Sequence, residues 1–122
     1  MKIKLKSRGR EFEIEVERCE SFSSQGRGLM FRSRETNALL FDFPDDAERS
    51  IHSLFVFFQF LAIWINKEGK IVGKKIVKPF RLHANPGKPF SRLIEIPFCE
   101  KYIETINYIL GNENIVGKEK DL

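Results

Sequence analysis

Residues 26–32, Gly-Arg-Gly-Leu-Met-Phe-Arg, have the residue types best suited to binding in this chain. The glycines permit a ligand to approach the backbone closely, and the two arginines carry forked donors that match a carboxylate or a phosphate. The methionine and phenylalanine would supply an apolar wall. We therefore predict a site for a small or anionic ligand, or for a protein partner, formed by Arg27, Gly28, Met30, Phe31 and Arg32.

Glu95 is the sixth residue predicted for this site. It lies within residues 90–96, which alternate in the manner of a strand and are otherwise mostly apolar. An acid that faced inward there would need a partner, so we expect Glu95 to orient Arg27 or Arg32. A second interpretation involves no ligand: the glycines serve a tight turn, the apolar residues close the end of the fold, and the arginines pair with nearby acids.

Residues capable of acid–base or nucleophilic catalysis are present but isolated from one another in the sequence. The candidates Cys19, Cys99, His52 and His83 have no partner at a motif spacing, and neither does Glu95. Their spacing predicts no metal site, and residues 26–32 match neither a Walker loop nor GxGxxG. We therefore expect no cofactor and favour a non-enzymatic protein, with a hydrolase-like enzyme as the least favoured alternative.

A basic stretch is the second candidate surface. Residues 70–92 contain seven lysines and arginines and no acid, in a chain of net charge +4. Lys78, Arg81 and Lys88 could contact nucleic acid there, with Phe80 and Phe90 available for base stacking. The same lysines are also typical of a solvated strand edge and loop. A nucleic-acid-binding module is therefore the alternative function.

The size and composition of the chain predict one globular domain over residues 1–122. The chain has 122 residues, 42% of them hydrophobic, which is enough to bury a core. The first residues alternate charged and apolar side chains, so we expect no signal peptide and a cytoplasmic location. The longest apolar run, residues 54–65, is shorter than the ~20 residues that a membrane-spanning helix needs.

The periodicity of the apolar residues predicts a mainly β (α+β) fold. Strict alternation over residues 2–6 and 11–17 indicates a hairpin. Further strands are predicted at 38–43, 50–58, 60–65, 70–77 and 90–96, with a turn at 44–46 and a short last strand at 115–116. Residues 98–110 have the spacing of an amphipathic helix that ends at Gly111. We expect a compact antiparallel β-barrel or sandwich-like domain with this one C-terminal helix.

Several of these segments together resemble the DUF192 family, also called UPF0127 or COG1430, whose function is uncharacterised. The resemblance rests on Arg-Gly-Leu-Met-Phe-Arg at 27–32, the strand–turn–strand block at 52–72, and Leu-Ile-Glu-Ile-Pro at 93–97. It extends from about residue 14 to residue 116 and implies the same small β-rich fold. Because the family has no assigned activity, the resemblance implies no reaction.

One departure from the family pattern affects the predicted site. The resemblance implies Pro-Leu-Asp ahead of the hairpin, where this chain has Gln59, Phe60 and Leu61. A bacterial-type Trp-Met-Lys-Asn-Thr is similarly replaced by residues 54–58. The resemblance therefore implies that a family site using that aspartate is lost or altered here.

Overall fold

The fold was analysed in a computed structural model, which describes residues 1–7, 9–19, 33, 35–50, 56–80 and 84–111, without the side chains of Ser7 and Phe12. The described chain contains six strands, one 3-10 turn and one α-helix. In chain order they are β1 (Lys2–Ser7), β2 (Arg10–Cys19), β3 (Ala38–Ala47), β4 (Phe60–Ile65), β5 (Ile71–Val77), β6 (Phe90–Pro97), the 3-10 turn (Glu100–Tyr102) and α1 (Ile103–Leu110).

The six strands form one mixed sheet in the order β1-β2-β3-β6-β4-β5. The β1–β2 hairpin pairs antiparallel with Lys4 opposite Glu13 and Lys6 opposite Glu11, so opposite charges face each other across the strands. The last residues of β2 pair parallel with β3. All other pairings are antiparallel. Strand β6, late in the sequence, therefore lies at the centre between β3 and β4.

The prediction of a mainly β domain with one C-terminal helix is confirmed, and the structure adds one parallel strand pair. Two local predictions were wrong. The turn expected at 44–46 lies inside β3, where the register against β6 shifts between Asp42 and Ala47, and such an irregularity accommodates Pro44. Residues 56–59 are not in a strand. The strand expected at 115–116 lies outside the described residues.

The helix ends where the sequence predicts. Gly111 has φ 71°, the left-handed conformation that glycine adopts at low cost, and its N–H donates to the carbonyls of Asn107 and Tyr108. Lys74 of β5 donates from Nζ to the carbonyl of Ile109 at 2.6 Å. These contacts satisfy carbonyls of the last turn and fasten the helix to the sheet. No helix in the described ranges is both long and apolar enough to span a membrane.

Buried side chains form two clusters, one on each face of the sheet. The helix-side cluster includes Leu40, Ile63, Ile94, Ile106 and Ile109. The other, which we call the aromatic cluster, contains Cys19, Leu39, Phe41, Val56, Phe58, Phe60, Ala62, Trp64, Val77, Phe90 and Leu93. Because β4 and β6 have buried residues facing both ways, their apolar patterns are nearly continuous.

Candidate functional site

Glu95 is a charged residue type buried in the middle of the sheet. Its register partners are Leu39 on β3 and Ala62 on β4, both members of the aromatic cluster. Since side chains on a strand alternate between faces, Glu95 points to the aromatic side of β6 while Ile94 and Ile96 point to the helix side. Only 5% of Glu95 is exposed.

Burial changes the protonation of this carboxyl group. Desolvation raises the pKa of Glu95 from 4.5 to about 8, because the charged form loses its hydration among apolar neighbours. The side chain is therefore mostly a neutral acid at pH 7. A neutral acid has one O–H donor and one carbonyl acceptor, so it can contact an anion without repelling it.

Trp64 is a second buried polar group in the aromatic cluster. It lies on β4 opposite Leu93 of β6, which is two residues before Glu95 on the same face of that strand. The ring is fully buried, and its Nε1–H has no hydrogen-bond partner in the part of the chain that the structure describes. A buried indole N–H normally finds a partner, and none of the described residues supplies one here.

The surroundings of these two groups resemble those of a small-molecule site in composition. Such sites are mainly apolar and contain a few polar groups that fix the orientation of the ligand. Here aromatic and aliphatic side chains surround one carboxyl and one indole N–H. Within the described ranges, no hydrogen bond or ion pair is made by the Glu95 carboxyl group. Each of the two groups thus has a hydrogen-bond donor on this face of the sheet.

Most of the ligand residues predicted from the sequence lie outside the described residues. This applies to Arg27, Gly28, Met30, Phe31 and Arg32. In the sequence, Arg27 comes eight positions after Cys19, the last residue of β2, whose side chain belongs to the aromatic cluster. Of the six predicted residues, Glu95 is the one whose surroundings the structure describes. The expectation that it orients an arginine stays a prediction.

The residues proposed for nucleic acid are also only partly described. Lys78 follows β5 and Lys88 precedes β6, and both are exposed, while Arg81 lies outside the described residues. Phe80 is 57% exposed and contacts Phe57, itself 60% exposed, with ring centroids 5.5 Å apart in an edge-to-face arrangement. The sequence did not indicate that these two phenylalanines form an exposed pair.

A chain of ion pairs on the opposite face was likewise not predicted. Asp42 of β3 accepts from Arg18 Nη2 at 2.8 Å and from Arg92 Nε at 3.2 Å. These residues come from three adjacent strands, so their proximity follows from the strand order and not from sequence spacing. About half of the Arg92 side chain, 53%, is exposed.

The two cysteines lie on opposite faces of the sheet, Cys19 in the aromatic cluster and Cys99 in the helix-side cluster. Cys19 and Cys99 are free thiols, and both are buried. No group of three or more His, Cys, Asp and Glu side chains suited to a metal ion occurs among the described residues. His52 and His83 lie outside them.

The family of the chain follows from comparison with known sequences. Residues 3–101 match the model of DUF192, described as "Uncharacterized ACR, COG1430". A UPF0127 protein of Pyrococcus furiosus is 30% identical over 108 residues, which cover 87% of this chain and 90% of that protein. The chain belongs to the DUF192 family.

Two further relatives of this DUF192 protein come from Thermococcus species. A UPF0127 protein of Thermococcus kodakarensis is 30% identical over 93 residues, covering 75% of this chain and 59% of the relative. A UPF0127 protein of Thermococcus gammatolerans is 29% identical over 93 residues, which cover 75% of this chain and 60% of that relative. The match therefore spans less than two thirds of these two longer proteins.

Solved structures share the fold of this DUF192 protein. A Novosphingobium aromaticivorans protein of unknown function has a TM-score of 0.71 and 13% identity, over 79% of this chain and 71% of the other. A Sinorhizobium meliloti protein named as a candidate transcription regulator also has a TM-score of 0.71, with 18% identity, over 89% of this chain and 83% of the other. At these identities the likeness concerns the fold alone.

The departure from the family pattern at Leu61 falls in the hydrophobic core. Leu61, at the position where the resemblance implies an aspartate, is fully buried in the helix-side cluster. It pairs with Ile96 of β6, one position beyond Glu95. The buried carboxyl of this chain therefore lies on the neighbouring strand and on the opposite face of the sheet.

Proposed function

We propose that this protein is a non-enzymatic binding module for a small anionic ligand, which it holds on the Glu95 face of the sheet. The observation that carries the proposal is the buried carboxyl of Glu95, which has no partner among the described residues. Burying an unsatisfied polar group costs free energy, and such groups concentrate at sites that bind something. The Trp64 indole N–H, buried in the same cluster, supports the same conclusion.

In this proposal, arginines would neutralise the negative charge of the ligand. Arg27 and Arg32 would supply forked donors, as their residue types predict. Glu95, neutral at pH 7 because burial raises its pKa to about 8, would donate its O–H to the same anion. Gly28 would allow close approach, and Met30 would extend the apolar wall. Because Glu95 would donate to the anion only while it is protonated, the affinity for the anion would depend on pH.

The pH dependence provides the test. Above pH 8 Glu95 loses its proton, so the carboxylate repels the anion and affinity should fall. Isothermal titration calorimetry at pH 6.5 and 9.5, after a thermal-shift screen of phosphates, sugar phosphates and carboxylates, measures this change. Glu95→Gln should abolish the pH dependence, since its amide remains a neutral donor. Arg27→Ala and Arg32→Ala should weaken binding at both pH values.

Matched variants complete the experiment. Arg10→Ala removes an arginine that lies over the ring of Tyr108, away from the aromatic cluster, and should leave the affinity unchanged. Equal affinity at pH 6.5 and 9.5 in the unmodified protein would show that Glu95 does not contact the ligand. Stabilisation by no compound in the screen would contradict the proposal and favour a protein partner.

The exposed phenylalanine pair favours nucleic acid as the second candidate function. Aromatic rings beside basic side chains serve as stacking platforms for single strands, and Phe80 lies two residues after Lys78. Phe80 also has φ 63°, a conformation that costs a non-glycine residue of order 1 kcal/mol. A strained, exposed aromatic residue is more typical of a contact surface than of a packing position.

Fluorescence anisotropy with a labelled oligonucleotide tests this second function. Binding should weaken steeply with salt, and Phe80→Ala should reduce it without changing the salt dependence. Neutralising Lys78, Arg81 and Lys88 to Gln should reduce both affinity and salt dependence. Neutralising Lys2, Lys4 and Lys6 on β1 is the charge-matched control. Absence of binding at low salt would rule this function out.

A further inference from the structure

The two edges of the sheet are the outer sides of β1 and β5. β1 pairs with β2 and β5 pairs with β4, and among the described residues neither strand has a second partner strand. The backbone N–H and C=O groups of an unpaired edge can pair with another extended segment, and natural proteins usually cover or protect such edges. Each of these two edges can therefore take one further strand.

The sheet curls so that the two edges approach each other on the helix side. A cavity of about 100 Å³ is lined by residues 3–6 of β1 and also by Gly69 and Ile71, which lie at the start of β5. Ile3, Leu5 and Ile71 contribute in addition to the helix-side cluster. We call the open strip between the outer edges of β1 and β5 the seam.

The C-terminal end of α1 lies at the seam. Lys74 of β5 donates from Nζ to the carbonyl of Ile109 at 2.6 Å. The ring of Tyr108, the preceding residue, lies under the guanidinium group of Arg10, 5.0 Å from the ring centroid. Arg10 pairs with Ser7, the last residue of β1. Two successive helix residues thus contact the two sides of the seam, and the chain leaves the helix between them.

The chain continues from this place after Gly111. This residue ends α1 in the left-handed conformation, φ 71°, which turns the backbone away from the helix axis. Residues 112–117, Asn-Glu-Asn-Ile-Val-Gly, come next and include the two β-branched residues for which the sequence predicts a last strand. Six extended residues span about 20 Å, and β1 is itself six residues long. The segment therefore has the starting point, the length and the residue types for a strand in the seam.

We propose that residues 112–117 form a strand in the seam, between β1 and β5, and so close the sheet into a barrel. Pairing on both sides would satisfy the edge N–H and C=O groups of β1 and β5. Since side chains alternate along a strand, one of Ile115 and Val116 would face the helix-side cluster and add apolar surface to it. Closing the seam would also keep both edges from associating with other chains.

The covalent connection through α1 favours this segment over the same segment of a second copy. A tethered segment has an effective concentration on the order of millimolar at a site that its linker can reach. The seam is separate from the anion site proposed above, because Glu95 points to the aromatic side of the sheet and the seam borders the helix-side cluster. Glu95→Gln should therefore leave the closure of the seam unchanged.

NMR spectroscopy of the full chain tests the proposal. Backbone NOEs should join residues 113–116 to β1 on one side and to β5 on the other. In hydrogen exchange, Ile115→Pro should make the outer-edge amides of β5 exchange at least about tenfold faster, because proline removes a donor and is not accommodated in a central strand. The amides of β6, which is already paired on both sides, should exchange as before.

Lys120→Pro is the matched control, since it introduces the same residue type beyond the proposed strand. It should leave exchange in β5 unchanged. Equal exchange in β5 for Ile115→Pro and Lys120→Pro, or no NOEs from residues 113–116 to β5, would overturn the proposal. A mixture of isotope-labelled and unlabelled protein identifies the source of the strand. NOEs between differently labelled copies would overturn its assignment to the same chain.

Discussion

The phenol group of Tyr102 donates a hydrogen bond to the carbonyl of Glu15 at 2.8 Å, across 87 positions of sequence. The same oxygen accepts from the backbone N–H of Ala38 at 2.9 Å. These contacts join the 3-10 turn before α1 to β2 and to the first residue of β3, next to the start of the parallel pairing. One hydroxyl group thus holds three elements together.

We expect Tyr102→Phe to lower the free energy of unfolding by about 1–3 kcal/mol. The change leaves the N–H of Ala38, a fully buried residue, without its partner, and an unsatisfied buried donor costs about that much. Urea denaturation monitored by circular dichroism measures the loss. Equal stability of Tyr102→Phe and the unmodified protein would show that the contact contributes nothing.

The buried carboxyl of Glu95 should make the protein less stable as pH rises. Its pKa is about 8 in the folded protein and 4.5 ordinarily, so between these values the folded state holds a proton that the unfolded chain has released. Stability therefore falls from pH 4.5 to 8, with a slope of up to ~1.4 kcal/mol per pH unit, and the contribution is constant outside this range.

Comparison with Glu95→Gln isolates this effect from other titrating groups. The unmodified protein should lose stability relative to the variant over this pH range, by on the order of a few kcal/mol in total. Denaturant titrations at half-unit pH steps give the difference. A difference that does not vary with pH would mean that Glu95 has an ordinary pKa and is not desolvated.

Gly73 is expected to tolerate no side chain. A Cβ built at this position lies 2.6 Å from Cβ of Pro86 and 3.5 Å from the Trp64 ring. Gly73→Ala should therefore destabilise the protein by roughly 1–3 kcal/mol through overpacking. Thermal unfolding measures the effect. In a Pro86→Gly background the clash partner is missing, so a double-mutant cycle should recover part of the loss, and strict additivity would contradict this cause.

Arg49 should not be replaceable by lysine. Its guanidinium group lies 4.2 Å from the ring centroid of Phe43, and it donates to the carbonyls of Phe90 at 2.7 Å and Asp45 at 3.0 Å. A lysine cannot make this planar, forked arrangement. We expect Arg49→Lys to cost about 1–2 kcal/mol. Arg10→Lys, over the ring of Tyr108, is the control, and equal losses in the two variants would refute a specific role for Arg49.

The sequence predicted those features of the fold that depend on local periodicity. Alternation identified the β1–β2 hairpin, and the apolar spacing of residues 98–110 with Gly111 identified the helix and its end. Pro44 was misjudged because its usual preference for turns gave no sign of the irregular pairing between β3 and β6. The parallel β2–β3 pair was missed because strand order depends on contacts between distant segments.

The candidate site could be predicted only in part, because it too depends on contacts between distant segments. The apolar strand pattern identified Glu95 as an unusual acid. The pattern could not show that the Glu95 side of the strand is buried. The Trp64 N–H gave no sequence signal, because an unsatisfied donor can be recognised only when its neighbours are known.

The central place of β6 has a consequence for the newly made chain. Strands β3 and β4 are not neighbours in the sheet and are joined only through β6, which is completed at residue 97. Until residue 97 has left the ribosome, the edges of β3 and β4 that pair with β6 are unpaired. Unpaired strand edges associate with other chains. Truncations that end before residue 90 should therefore precipitate on expression, and the protein's yield in the cell should depend on how quickly its last quarter is translated.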